Sequence, residues 1–297
     1  MPGKVREGSR GAAERVGTAL RGALRLIWRT VRGEWQGIVV APVRELLRRG
    51  LPGLSLAFLA GLGVIFFHGI AQSRAGATVV RVVGGVYADL PLPLALLRTP
   101  VSLYVPALDL PVWAGMTQLF LAFALAELVL GRARTLVIAY TTTLVGTLMA
   151  RAMIAMGTGW WGLGLPPDAG AILDTGPSAA VVGLFTYLSI TQRAPIVFFF
   201  TGGSMVMESV IKPNLAGREH LIAIATAIVL AVVHRRHALS ASRVIRSSVA
   251  EEHSRRVEEH PLRAEERPHR TEERPHRTEE RPLRVEENRD LPGAQAP

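Results

Sequence analysis

Ser178 and His220 are two side chains in this 297-residue sequence that could serve as a nucleophile and its base. A serine hydroxyl is a weak nucleophile until a neighbouring base takes its proton. Histidine is the commonest such base because it titrates near neutral pH. Ser178 lies in DTGPSAAVVGL, Asp174 to Leu184, which opens in turn chemistry and closes in an apolar run. Pro177 suits the start of a helix, and Asp174 or Thr175 could cap it. Backbone N–H groups there, beside Gly176, would be free to stabilise an oxyanion. A structural reading stands beside the chemical one: Ser178, Ala179, Ala180 and Gly183 form a small-residue face that lets two helices approach closely.

Other costly side chains fall in apolar segments: Gln118, Arg151 and Glu208. Polar groups at membrane depth are functional hypotheses by default. Counted from the nearest inner basic residue at about 1.5 Å per residue, Ser178, His220, Gln118 and Glu208 lie about 21–22 Å up and Arg151 about 25 Å up. In a hydrocarbon core about 30 Å thick, this is one layer below the outer surface. Each residue also has a plain role. Arg151 can snorkel outward or pair inward, Glu208 can mark a span end near Lys212, and Gln118 can bond a neighbouring helix. Arg151 and Glu208 are taken as structural members of the layer, and Gln118 as a supporting donor.

The elements that must position these groups are membrane helices. The apolar residues concentrate between Leu54 and Val233, in runs near twenty residues long, and both ends are charged. Six spans are expected, near 54–72, 112–131, 135–156, 177–192, 195–211 and 218–234, giving an all-α polytopic membrane protein. The domains are a basic arm (1–50), a six-span membrane domain (51–236) and a charged tail (237–297). No cleavable leader is expected. Cysteine is absent, which excludes disulfides and thiolate chemistry. The net charge of +10 would suit nucleic acid, but its distribution favours anionic lipid headgroups, and no nucleic-acid partner is expected. Basic residues crowd the N-terminal arm and the turns at Arg132–Arg134, Arg193 and Arg235–Arg236. Both termini are therefore expected in the cytoplasm, with a multi-pass body in the cell membrane.

In the arm, Val16, Leu20, Leu24, Ile27 and Val31 recur at helical spacing among Arg15, Arg21, Arg25, Arg29 and Arg32. This reads as an amphipathic helix on the inner leaflet. Prolines in 73–111 predict short interfacial helices rather than another span. The tail repeats with a period of seven (RVEEHPL, RAEERPH, RTEERPH), and a proline in each of the first four units forbids a continuous helix. It is expected to be a solvated polyampholyte. The spacing of His260, His269 and His276 in such a chain does not predict a metal site.

GPSA at Gly176–Ala179, His220 in the outer half of the last span, and AELVLGRARTLVIAYTTTLVGTL with Glu127 and Gly131 together resemble the rhomboid fold. The resemblance runs from about Leu54 to Arg236. It is strongest to divergent actinobacterial rhomboid-like proteins, which agrees with the bacterial character of an Ala-, Arg- and Gly-rich composition. It implies a cofactor-free intramembrane serine protease with Ser178 as nucleophile and His220 as base, cutting single-span membrane proteins near the outer face. Three departures imply the alternative. Pro111 and Gly115 fall near where the family carries oxyanion-binding His and Asn, Ala179 replaces the usual glycine after the serine, and the first loop lacks a Trp-Arg pair. The alternative is an inactive rhomboid-like pseudoprotease that binds or guides transmembrane clients.

Overall fold

The computed structural model describes residues 3–105, 111–159, 164–172, 177–211 and 214–259. The chain divides into two units, Met1–Ser240 and Ala241–Pro297. All regular elements among the described residues are helical. In order they are α1 (Gly3–Trp35), a π-helical turn (Gln36–Val40), α2 (Ala41–Arg49), a 3₁₀ turn (Leu51–Leu54), α3 (Ser55–Ala71), α4 (Arg74–Gly84) and α5 (Leu92–Ser102). There follow α6 (Val112–Leu130), α7 (Arg132–Met156), a second 3₁₀ turn (Pro167–Ala171), α8 (Ser178–Thr191), α9 (Pro195–Ile211) and α10 (Leu215–Glu259).

Four helical stretches are long and apolar enough to cross a membrane: Leu51–Ala71, Val112–Leu130, Arg132–Met156 and Leu215–Glu252. The other two expected spans form shorter apolar helices, Ser178–Thr191 and Pro195–Ile211. Leu59, Leu62 and Phe66 of α3 and Phe199, Phe200 and Val210 of α9 are exposed on the protein surface. So much exposed apolar side chain is a liability in water and an ordinary surface in a bilayer.

α6 is at the centre of the main core. Its Leu119, Ala122, Phe123 and Ala126 are fully buried and belong to one cluster with Ala57, Ala60 and Val64 of α3. Ile138 and Ala139 of α7, Ala180 and Leu184 of α8, and Ala227 and Ala231 of α10 complete the cluster. The many alanines follow from physics. Lipid tails are as apolar as leucine, so helices gain from close van der Waals approach, which small residues permit. The junction between α6 and α7 is one residue, Gly131, at φ 81°, a conformation that glycine adopts without Cβ strain.

The segment 73–111 contains the expected short helices. Ser73 caps α4 by accepting the Gly76 N–H (3.0 Å), and Pro91 is the N-cap residue of α5. α10 runs past the expected tail boundary at 237, and residues 241–259 of the second unit are helical. The proline repeats themselves lie outside the described residues, as do Trp160, Trp161 and Lys212.

Candidate functional site

Ser178 is the first residue of α8 and is half-buried. The N-cap position is Pro177, whose own side chain makes no capping bond; the expected capping residues Asp174 and Thr175 lie outside the described residues. Gly176 lies outside them as well. The small-residue face has a clear structural use. A Cβ at Gly183 would come within 2.6 Å of both Cγ2 and Oγ1 of Thr142 on α7, and Ala180 is fully buried. Gly183 is needed where the α7 and α8 surfaces meet.

His220 is 7% exposed. The carboxylate facing it belongs to Glu208 of α9, whose Oε2 is 3.5 Å from the imidazole Nδ1. α9 and α10 run antiparallel: Glu208 meets His220, and a Cβ at Gly217 would approach Ser209 Oγ at 2.7 Å. α8 joins α9 through a three-residue turn, so α8 and α10 run in the same direction. A hydrogen bond between the Tyr187 hydroxyl and His234 Nδ1, with the two rings stacked at 6.2 Å, joins these two helices.

Among the described residues no hydrogen bond joins Ser178 to His220.

The expected polar layer resolves into separate contacts. Gln118 is exposed on α6. Arg151 points to neither Glu208 nor solvent alone: its guanidinium donates to the carbonyls of Leu90 (2.6 Å) and Tyr87 (3.4 Å), holding the turn between α4 and α5. Arg98 donates to the Gly85 carbonyl of the same turn (3.1 Å). Arg218 donates to the Gly164 carbonyl (3.3 Å), tying the start of α10 to the segment that precedes α8.

Two buried carboxylates carry structural chemistry that the sequence reading did not assign. Glu127 of α6 is 1% exposed. Its Oε2 accepts the N–H groups of Leu56 (2.9 Å) and Ala57 (3.1 Å) in the first turn of α3. Its Oε1 accepts from Ser55 Oγ (3.2 Å) and Arg132 Nε (3.0 Å), and Arg132 also donates to the Pro52 carbonyl (2.6 Å). Glu34 of α1 treats α9 in the same way: it accepts the N–H groups of Ile196 (2.6 Å) and Val197 (3.2 Å). First-turn N–H groups have no intrahelical acceptor, and a carboxylate there also meets the positive end of the helix dipole. Neither α3 nor α9 opens with an acidic residue in its first turn. That gap was the available sequence signal that a cap must come from elsewhere.

No family model, no curated protein and no solved structure matches the chain. Among the described residues no group of three or more His, Cys, Asp or Glu side chains is placed to hold a metal ion.

Proposed function

We propose that this is a six-span, rhomboid-like membrane protein that binds transmembrane clients without cutting them. The observation that carries the reading is that, among the described residues, no hydrogen bond joins Ser178 to His220. A serine hydroxyl without a base in hydrogen-bond reach is a poor nucleophile. The exposure of Gln118 and the placement of Pro111 and Gly115 support the same reading, since neither Pro nor Gly has a side chain to bind an oxyanion. For clients, an apolar groove of about 500 Å³ lies between α9 and α10, lined in part by Phe198, Gly202, Val206, Leu221 and Ile224. Cβ atoms at Gly202 and Gly203 would meet open space, so an apolar transmembrane helix can approach this backbone closely. The proposed placement is the cell membrane, both termini cytoplasmic, with α1 on the anionic inner leaflet.

A protease remains the second reading, and Glu208 favours it. A carboxylate opposite Nδ1 holds a histidine in the tautomer whose Nε2 can act as base. A fluorophosphonate probe separates the two. The binding reading expects no labelling of the full-length protein in membranes. It also expects client co-purification that survives Ser178→Ala and falls with Gly203→Phe. Labelling of the wild type that disappears in Ser178→Ala would establish the protease instead.

A further inference from the structure

Among the described side chains of α1, one is buried. From Thr18 to Gly33 every residue of α1 is exposed except half-buried Thr30, and then Glu34 is buried. Its carboxylate spans from α1 to the first turn of α9, where it accepts the Ile196 and Val197 N–H groups. α9 has no buried residue of its own and packs on α8 and α1. The first turn of α9 is therefore held by α8 and, through the Glu34 carboxylate, by the arm.

The rest of α1 presents a different surface. Leu20, Leu24, Ile27, Trp28, Val31 and Trp35 are exposed and lie along one stripe at helical spacing. Arg21, Arg25, Arg29 and Arg32 run along one flank of that stripe, and Glu34 lies on the other. Such a stripe with a cationic flank matches the boundary between acyl chains and anionic headgroups. A neutral leaflet would take up the stripe and leave the four guanidinium groups without counter-charges.

We propose that an anionic bilayer surface takes up this face of α1, and that Glu34 transmits the engagement to α9. An arm held on the leaflet keeps the carboxylate over the Ile196 and Val197 N–H groups. An arm released from it withdraws the cap and loosens the start of α9. The proposal rests on the reading of α1 as a lipid-facing arm and adds that the arm controls a membrane helix.

Amide exchange at Ile196 and Val197 reads the cap directly, because neither N–H has an intrahelical acceptor. The full chain is reconstituted in vesicles of phosphatidylcholine alone or mixed with phosphatidylglycerol. The expected result is slower exchange at both amides, and along α1, in the anionic vesicles. Glu34→Gln should speed exchange at the two amides about tenfold, the loss of roughly one charge-assisted bond, and abolish the lipid effect there. Replacing Arg21, Arg25, Arg29 and Arg32 together by Gln should abolish the lipid effect on α1 and α9 while leaving exchange in neutral vesicles unchanged. Unaltered protection in α3 and α6 shows that each variant is folded, and the arginine variant carries the test if Glu34→Gln is not. Lipid-dependent protection of α1 with an indifferent start of α9 would overturn the coupling alone. Indifference of α1 to lipid charge would overturn the lipid-facing reading itself. Protection of α1 that follows protein density instead would make a second copy the occupant and overturn both.

Discussion

Glu127 and Glu34 sit in unlike sequence neighbourhoods, one inside an apolar span and one in a basic arm, and make the same kind of contact. Each places a carboxylate on the unpaired N–H groups that open a different helix. At Glu127 the cost of removal is calculable in kind. Glu127→Ala leaves two buried N–H groups and the Ser55 hydroxyl without their acceptor, and should destabilise the folded protein by about 2–5 kcal/mol. Glu127→Gln retains one acceptor oxygen and should cost less than half of that. Unfolding in mixed micelles followed by helix ellipticity measures both, and equal losses would show that the charge rather than the acceptors carries the contact. At the surface of α2 the balance is different. Glu45 accepts a hydrogen bond from Arg48 and is flanked by Arg49, and its carboxyl is held down at about 2 from 4.5. Because the folded value is the depressed one, this contribution is present above pH 4.5 and is lost as pH falls toward 2. Helix content in 41–49 should decrease across that window in the wild type and not in Glu45→Gln.

At the scale of elements, the close approach of α7 to α8 and the contact of α8 with α10 shape the surroundings of the candidate site. Gly183→Ala would drive a methyl into Thr142 and should cost about 1–3 kcal/mol as the helices separate. Gly203→Ala, with open space around it, should be close to neutral. The same micelle titration ranks the two, and an equal effect would mean that α7 and α8 are free to shift apart. Tyr187 and His234 join α8 to α10 through a hydrogen bond and a ring stack. This contact was not legible in the sequence. Tyr187 is one aromatic among many apolar residues, and His234 reads as part of the basic HRRH end of a span. Only the meeting of two residues 47 positions apart, on different helices, identifies them.

At the scale of the whole molecule, the proposed topology puts residues 157–174 outside and α1 inside. The absence of cysteine makes the test clean. A membrane-impermeant maleimide applied to intact cells should label Gly159→Cys and leave Thr18→Cys unlabelled until the membrane is opened. The reverse pattern would invert the topology, and labelling of both would place the arm on the outer side.

The linear pattern alone determined the helical class, the four long apolar helices and the short helices of 73–111, because these depend on local hydrophobicity, proline and turn chemistry. It also marked Arg151 and Glu208 as side chains too costly to be idle. It did not determine partners. Arg151 holds the Tyr87 and Leu90 carbonyls, Glu208 faces His220, and Glu34 caps α9, each across a distance in sequence that no periodicity encodes. A count along one helix fixes height relative to its own end, whereas catalysis needs height relative to another helix, and that second quantity is set only by packing.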